Sequence, residues 1–399
     1  MYTPNPASAP AAAAILSCQY PYQSRANFLF LDRQLDRSLF TKLRNDYGIY
    51  LVTDFADDEI VNRQNFSLPF SGTFAPRIDN DTHVIAYLLQ RNVVLISLVP
   101  PSLRHWLIPE LYQTEISDSP ELLWQTRQLL TKKRDEKKIV LLTLSNLHIP
   151  LEARYPYYRI FLPQRATAQF AWDWRYPDYT YRGTSAAANR NIRALYEQNL
   201  AALNDQLGNF FDQLRAYRLT DNLTIVLTAD HGESLFDQDL DRYSHNNLES
   251  QHVLNVPFFV QQPGLPPRRD AEHMYLLNDA LQIALQPAQA ASYARPVVYL
   301  ENDIDFKNLD SQLWQGVYNL RSYQRMEITD LERWHRYKKR AVIADGYQLT
   351  YDPEGPAPYA LFNVAADPLH QRDLALQQPE RVAQLRALLA GFSEESRRW

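Results

Sequence analysis

The residues of this chain that could perform chemistry follow short apolar runs. Asp32, His148 and the adjacent pair Asp230-His231 each come at or shortly after the end of such a run. In open α/β sheets, ligands bind beyond the carboxyl ends of the strands, so this placement predicts that the four side chains meet at one edge of a sheet. Carboxylate and imidazole groups suit zinc, or with more oxygen ligands manganese or magnesium. The sequence therefore predicts a divalent metal site.

Two more histidines, His245 and His252, follow the Asp-His pair within about one connecting loop. A metal held by such residues would act as a Lewis acid on a phosphoryl or sulfuryl oxygen and would orient the attacking group. A lone Asp after a strand is usually a helix cap or a turn former, so Asp32 alone also fits a structural role, as does a lone His148. The adjacent Asp-His pair at a strand end serves no folding need, which favours a functional interpretation.

Apolar runs that alternate with amphipathic stretches predict the fold. Strand candidates lie at 27–31, 49–53, 92–99, 138–144, 223–228 and 256–260. Helix candidates lie at 83–90, 120–130, 192–214 and 276–285. In the third of these helices, apolar residues recur at steps of three or four, which is typical of an amphipathic helix. Continuous apolar strands between helices predict an α/β fold, a mostly parallel central sheet flanked by helices.

The last hundred residues have a different character. From about residue 296 the sequence predicts short strands at 297–300, 341–343, 348–351 and 359–363, and a final helix at 379–389. These elements predict a small C-terminal α+β subdomain at 296–399, packed on an α/β domain at 26–295. The Pro/Ala/Ser tract at 4–14 favours a linker or cut point for residues 1–25.

Composition excludes several classes of protein. The 399 residues are 45% hydrophobic and carry a net charge of −5, without the clustered Lys/Arg of a nucleic-acid surface, so we expect no nucleic-acid partner. The single cysteine, Cys18, excludes an internal disulfide and a cysteine-based zinc cluster. No apolar run reaches the roughly 18–20 residues that a membrane-spanning helix needs.

The second half of the chain resembles a known family. Tyr196, Leu203, Leu207 and Leu214 precede "LTDNLTIVLTADHGESL", "YSHNN" and "NVPFFVQQPG", a pattern similar to the sulfatase-type branch of the alkaline phosphatase superfamily. The ending "YALFNVAADPLHQRDLA" is similar to the sulfatase C-terminal segment. The resemblance implies an alkaline phosphatase-like fold. It also implies Asp32, Asp230, His231 and one of His245 or His252 as ligands of a zinc, manganese or magnesium ion, with His148 on the substrate side.

The nucleophile that this family uses is harder to place. Sulfatases use a cysteine in Cys-x-Pro-x-Arg, which is converted to formylglycine. Cys18 is followed by Tyr20 and Tyr22 where Pro and Arg should stand, which excludes that chemistry at Cys18. Phosphotransferases of the superfamily instead use a Thr or Ser that begins a helix, about ten residues before a Thr-Gly or Ser-Gly pair.

Ser71-Gly72 is the candidate for that pair, and counting back from it reaches Asn62, which has no hydroxyl. Ser67 is the nearest hydroxyl in the plausible window and becomes the candidate nucleophile, with Ser71 and Thr73 as further candidates. The resemblance therefore predicts a nearly complete set of metal ligands beside an uncertain nucleophile. On that basis we expect weak activity at most on a nitrophenyl phosphate, and none on sulfate esters.

A narrower resemblance comes from "CQYPYQS" and the short first half, which look like the YejM/PbgA family of Gram-negative inner-membrane proteins. That family implies a periplasmic domain anchored to the inner membrane by a membrane bundle that this chain would lack. Two functions follow as hypotheses. The first is a metal-dependent enzyme acting on phosphoesters of envelope lipid or lipopolysaccharide. The second is a catalytically degenerate regulatory or lipid-binding module that controls lipopolysaccharide or cardiolipin homeostasis.

Overall fold

The computed structural model describes most of the chain outside five long segments. The described residues are 1–24, 43, 45–53, 72–74, 119–148, 151, 156–157, 160–161, 186–235, 243–245, 247–302, 338–353 and 355–397. Asp32 and Ser67 lie outside them, as do the elements predicted at 27–31, 83–90 and 92–99.

The N-terminal segment is folded, which corrects the expectation of a linker at residues 1–25. Helix α1 spans Ser8–Ser17 and the short helix α2 spans Pro21–Ser24. Residues 1–3 form backbone hydrogen bonds with 254–256 and with 275–277. The alanines Ala11, Ala13 and Ala14 are fully buried. A composition that resembles a linker forms a buried helix here because alanine has the highest helix propensity and its small side chain allows close packing.

A parallel sheet of three strands forms next to α1. Strands β1 (Gly48–Thr53), β2 (Gly72–Phe74) and β3 (Lys138–Thr143) lie in the order β2-β1-β3. Ile49 and Leu51 pack with Leu16 of α1, whereas Tyr50 and Val52 pack against the helix Ser119–Lys132. Because successive residues of a strand point to opposite faces, the central strand β1 is buried on both sides, as the sequence predicts.

Two helices cover one side of this sheet. They are α3 (Ser119–Lys132) and the longest helix, α4 (Ala186–Ala216). Leu123 and Leu130 of α3 pack with Phe210 and Leu214 of α4. Both helices confirm the amphipathic patterns of the sequence, at 120–130 and at 192–214.

The chain then enters the strand that carries the Asp-His pair. A 3-10 turn at Thr220–Asn222 leads to β4 (Ile225–Thr228), which pairs antiparallel with β7 (Phe258–Gln261). Between them lie the short strands β5 (Ser234–Leu235) and β6 (Tyr243–Ser244) and the helix α5 (Gln251–Leu254). In the described part of the chain, β3 and β4 belong to different sheets.

The remaining elements complete the C-terminal part. A 3-10 turn (Leu277–Asp279), helix α6 (Ala280–Leu285) and a 3-10 segment (Pro287–Tyr293) precede an antiparallel sheet. Its strands are β8 (Val297–Glu301), β9 (Arg340–Ala344), β10 (Tyr347–Tyr351) and β11 (Tyr359–Asn363), in the order β11-β10-β9-β8. Helix α7 (Pro379–Arg397) packs on it. Among the described residues no helix is long and apolar enough to cross a membrane.

The first and last parts of the chain are in contact. Tyr20 and Tyr22, at the end of the N-terminal segment, both meet the ring of Phe392 on α7, with centroids 5.5 and 5.4 Å away. These aromatic contacts fix α1 and α2 against the C-terminal sheet. The N-terminal segment is therefore part of the same folded body as the last helix.

Helix α1 ends at a backbone position that favours glycine but is occupied by Cys18, with φ 58° and ψ 30°. We expect Cys18→Gly to be more stable than Cys18→Ala by about 1 kcal/mol, because alanine keeps the steric cost of a Cβ in the left-handed region. Both substitutions remove the thiol, so the alanine variant is the control. Denaturant unfolding measures the difference, and equal free energies of unfolding would contradict the expectation.

Candidate active site

The first residue of α1 lies against the Asp-His pair. The hydroxyl of Ser8 is 2.9 Å from Nε2 of His231. On the other side of the imidazole ring, Nδ1 is 2.8 Å from the carbonyl oxygen of Gly232. A carbonyl can only accept, so Nδ1 carries a proton. Burial lowers the pKa of His231, and the charges of Asp230 and Glu233 offset this lowering only in part. The ring is therefore neutral near pH 7. Nε2 therefore accepts the hydrogen bond that the Ser8 hydroxyl donates.

Asp230 also lies near Nε2 of His231. Its Oδ1 accepts a hydrogen bond from the His231 N–H at 2.9 Å, and its Oδ2 is 3.5 Å from His231 Nε2. Burial favours the neutral acid, but electrostatic interactions with the rings of His231, His245 and His148 and the hydrogen bond from the backbone N–H of His231 hold the pKa of Asp230 below its ordinary value. An ionised carboxylate and a hydroxyl thus lie within 3.5 Å of one imidazole nitrogen.

A second histidine, His245, packs against the ring of His231. The ring of His245 stacks on that of His231 with centroids 4.2 Å apart, and its Nδ1 is 3.0 Å from Oε2 of Glu233. Both partners of this ion pair are nearly buried, with side chains 12% and 11% exposed. Burial alone would lower the pKa of His245, but the Glu233 carboxylate outweighs it and raises the pKa above its ordinary value.

The other two predicted histidines, His148 and His252, differ in their relation to the site. His148 is five residues past the end of β3, and its charge contributes to the lowered pKa of Asp230, which places it within electrostatic reach of the site. The side chain of His252 is exposed, and its backbone N–H donates to the Ser250 hydroxyl at 3.0 Å. The structure thus brings together Asp230, His231 and His245. The assignment of Asp32 and Ser67 stays a prediction.

Ser8 and Glu233 are the two residues of this arrangement that sequence reasoning did not select. A signal for Ser8 was present. Ser8-Ala9-Pro10 reproduces the first and third positions of Cys-x-Pro-x-Arg with a hydroxyl in place of the thiol, and Ser17-Cys18 follows about ten residues later. The pair was hidden because Cys18 occupies the left-handed position at which the family pattern has glycine. Glu233 could have been noted as the acidic residue directly after Asp-His-Gly.

Gly232 holds the site together by close backbone contact. Its N–H donates to the carbonyl oxygen of Val253 at 2.9 Å, and a Cβ added at Gly232 would lie 1.9 Å from the carbonyl oxygen of His252. That neighbour is backbone, so it cannot rotate away. A side chain at this position therefore requires the loop carrying His231 to move away from α5.

We expect Gly232→Ala to lower the free energy of unfolding by about 2 kcal/mol or more, since it forces a backbone shift in a packed region. The matched control is Gly208→Ala within α4, where a Cβ meets nothing within 4 Å and should instead stabilise the protein by about 0.5–1 kcal/mol. Thermal unfolding of the two variants checks both signs. Similar effects from both glycines would contradict the role assigned to Gly232.

The side chains at this site fit part of a metal centre. Donor atoms on one zinc ion at about 2.0–2.2 Å lie about 3 to 3.5 Å from each other, which matches the spacing of the Ser8 hydroxyl, His231 Nε2 and Asp230 Oδ2. The described residues contain no group of three or more His, Cys, Asp or Glu side chains arranged to hold a metal ion. A further acidic ligand would come from the rest of the chain, where Asp32 lies.

Comparisons with known proteins identify the family and the fold. The family model described as Sulfatase matches residues 1–286. No curated protein sequence matches the chain. The chain is similar in fold to the phosphonate monoester hydrolase SpPMH from Silicibacter pomeroyi, with a TM-score of 0.67 at 17% identity, covering 100% of this chain and 87% of the other.

Two other solved structures show the same fold. The phosphonate monoester hydrolase of Agrobacterium radiobacter has a TM-score of 0.66 at 15% identity, with 99% of this chain and 88% of the other covered. BT1596, a 2-O GAG sulfatase, has a TM-score of 0.58 at 15% identity, with 99% and 83% covered. The α/β fold that the sequence predicts is thus confirmed as alkaline phosphatase-like, and the family match extends across the whole site. The chain belongs to the sulfatase family of the alkaline phosphatase and sulfatase superfamily.

Proposed function

We propose that this protein is a phosphoester hydrolase or phosphotransferase in which Ser8 is the nucleophile. The observation that carries the proposal is the 2.9 Å contact between the Ser8 hydroxyl and Nε2 of a neutral His231. A serine is a weak nucleophile by itself and needs an adjacent base or a metal to activate it. Ser8 has such a base in hydrogen-bonding distance, with the base oriented by the Gly232 carbonyl.

The position of Ser8 in α1 favours attack on an anion. Ser8 is the first residue of a ten-residue helix, preceded by Ala7 in an extended conformation. Backbone N–H groups in the first turn of a helix have no partner within the helix, and the helix dipole is positive at this end. A phosphoryl group brought to the Ser8 hydroxyl would meet these N–H groups, which stabilise negative charge on its oxygens.

The chemical step can be written from the residues in place. The Ser8 oxygen attacks phosphorus, an Oγ–P bond forms, and the bond from phosphorus to the ester oxygen breaks. The Ser8 proton passes to Nε2 of His231 when that nitrogen is free, or to solvent when a cation occupies it, and the leaving oxygen takes a proton from solvent. Attack by water on the phosphoserine then releases phosphate and restores the hydroxyl, whereas attack by an acceptor alcohol transfers the group.

A divalent cation is part of the proposal because the site and its proposed substrate are both negatively charged. The ionised Asp230 would repel a phosphate placed at Ser8. Asp230, His231 and Ser8 would hold a zinc, manganese or magnesium ion, which acts as a Lewis acid on a phosphoryl oxygen. His231 Nε2 serves one partner at a time, so binding the cation would release the Ser8 hydroxyl from its hydrogen bond and the proton would leave to solvent.

The nucleophile also favours a class of substrate. Formylglycine forms from a cysteine in Cys-x-Pro-x-Arg, and this chain has Ser8 at the cysteine position and Ala12 at that of the arginine. We therefore expect phosphate or phosphonate esters as substrates and exclude sulfate esters. Envelope lipid or lipopolysaccharide phosphoesters, met in the periplasm at the inner membrane, remain the proposed natural substrates.

The test compares nitrophenyl esters of phosphate, phenylphosphonate and sulfate, each with added manganese or zinc. The sequence alone predicts weak activity at most because its nucleophile is uncertain. With Ser8 as the nucleophile we instead expect metal-dependent turnover of the phosphorus esters at about 1–10³ per second, and none of the sulfate. Trapping at low pH should leave a phosphoryl group on the peptide that contains Ser8, read by mass spectrometry. Absence of both turnover and the phosphopeptide would overturn the proposal and leave the regulatory function, control of lipopolysaccharide or cardiolipin homeostasis, ahead.

A further inference from the structure

The position of His231 depends on a helix of one turn. The Gly232 carbonyl orients His231 Nδ1, and the Gly232 N–H donates to Val253 of α5. Helix α5 has only four residues. A helix of one turn is unstable in isolation because nucleation is unfavourable, so α5 owes its position to contacts with the rest of the protein.

Part of those contacts comes from the C-terminal part of the chain, through Gln251, the first residue of α5. Its backbone N–H donates to the carbonyl oxygen of Pro368 at 2.7 Å. Its side-chain amide Nε2 is 2.8 Å from Oε1 of Gln348 on β10 and 3.1 Å from Nε2 of His370 in the turn after β11. Gln251 is 7% exposed and Gln348 is fully buried, so these bonds form away from water.

The acceptors at Gln251 are held in turn. Gln348 Nε2 donates to the Leu248 carbonyl and to the Thr350 hydroxyl, which fixes the Gln348 Oε1 toward Gln251. Burial lowers the pKa of His370 to about 4, so the ring is neutral near pH 7 and its Nε2 can accept from Gln251. The ring also stacks on Phe362 with centroids 4.5 Å apart. Each hydrogen of the Gln251 amide therefore has one oriented acceptor.

We propose that Gln251 is a positioning residue for His231, through which the C-terminal sheet sets the geometry of the nucleophile and its base. The connection runs from His370 and Gln348 to Gln251, along α5 to Val253, and from there to the Gly232 peptide that orients His231. It rests on the proposed function of Ser8 and His231, and it assigns the C-terminal subdomain a part in that reaction.

The expected result for Gln251→Met, which keeps the shape and removes both amide bonds, is a fall in kcat of about 10-fold or more. A displacement of an ångström at a reacting group can cost about 10²-fold in rate. KM should stay within about twofold, because substrate binding relies on groups that do not move. Gln371→Met, exposed in the same C-terminal turn, is the control and should leave kcat unchanged.

A pair at position 370 tests the acceptor itself. His370→Gln offers an oxygen to the Gln251 amide and should keep most of the kcat, whereas His370→Leu offers none and should reproduce Gln251→Met. If all three variants lower the melting temperature while kcat stays at the wild-type value, Gln251 has only a structural role and the proposal is overturned.

Hydrogen exchange separates this proposal from that of the nucleophile, because it needs no substrate. The Gly232 amide, bonded to Val253 in the wild type, should exchange faster in Gln251→Met and in His370→Leu, and at the wild-type rate in His370→Gln and Gln371→Met. Wild-type protein without turnover but with this exchange pattern would reject the nucleophile and keep the connection. Unchanged exchange in all four variants would reject the connection whatever the activity.

Discussion

Replacing Ser8 with alanine should reduce phosphoester turnover at least about 10³-fold while the protein stays folded. Removing a nucleophile closes the route through a covalent intermediate, and the loss in such cases can reach about 10⁶-fold. Only slow direct attack by water remains. The free energy of unfolding should change little, because alanine is a good helix former. The Ser8 hydroxyl bonds to His231, and no side chain forms a capping hydrogen bond at the start of α1.

Two serine variants make this expectation specific. Ser17→Ala lies at the opposite end of the same helix, where the hydroxyl bonds to the Ala13 carbonyl and the Gln19 N–H, and it should keep full activity. Ser67→Ala tests the residue that the sequence alone favoured. Loss of turnover in Ser67→Ala with turnover kept in Ser8→Ala would assign the nucleophile to Ser67 and would remove the main support for the proposed function.

The amount of phosphoryl group trapped on the protein should fall in the variants that lose turnover. Ser8→Ala should carry no phosphoryl group after acid trapping, and Asp230→Asn should carry less than the wild type. A phosphoryl group found on Ser8 that turns over more slowly than the substrate is consumed would mark a side reaction. Rate and labelling together therefore distinguish a catalytic serine from one that is merely reactive.

The sequence predicts the parts of this fold in which a local pattern and the tertiary contacts agree. The apolar run at 49–53 is a strand buried on both faces, and the amphipathic pattern at 192–214 is the helix Ala186–Ala216. The strand at 359–363 is found with the same limits. In each case one physical signal, continuous burial or a helical stripe, decides the structure without knowledge of the partners.

The N-terminal segment shows where that reasoning fails. A run of alanines carries no amphipathic stripe, so neither its burial nor its packing on Leu51 and Leu281 can be read from periodicity. Its Pro/Ala/Ser composition favoured a linker, although proline is also common in the first turn of a helix. The contact between Ser8 and His231 joins residues 223 apart in the sequence, and no local pattern encodes it.

The same limit applies to strand pairing. The sequence predicts β4 correctly as the strand that presents Asp230 and His231, but its neighbour β7 runs antiparallel to it. Alternation of strands with helices indicates a parallel sheet in general and cannot tell which pair is the exception. Direction depends on the connection between strands, and here it passes through β5, β6 and α5, too short and irregular to be recognised in advance.

The second large effect concerns metal binding. Asp230→Asn combined with His231→Gln should weaken the binding of zinc and manganese by at least about 10²-fold, because the double variant loses a charge and an imidazole donor at the point where Ser8 also lies. The pair follows the end of β4 and is not part of a hydrophobic cluster, so the fold should persist. Isothermal calorimetry with each metal measures the affinity, and circular dichroism checks the fold.

Single variants at the other predicted ligands then show which of them bind the metal directly. Asp32→Asn should weaken binding about as strongly as Asp230→Asn if Asp32 supplies the further acidic ligand. His245→Gln should weaken it by less, about 10-fold, because the ring of His245 stacks on the ring of His231 and helps to hold that ligand in place. His252→Gln, with its exposed side chain, should be close to the wild type. Unchanged affinity in the Asp230/His231 double variant would remove both residues from the metal site, and Ser8 activation would then rest on the His231 base alone.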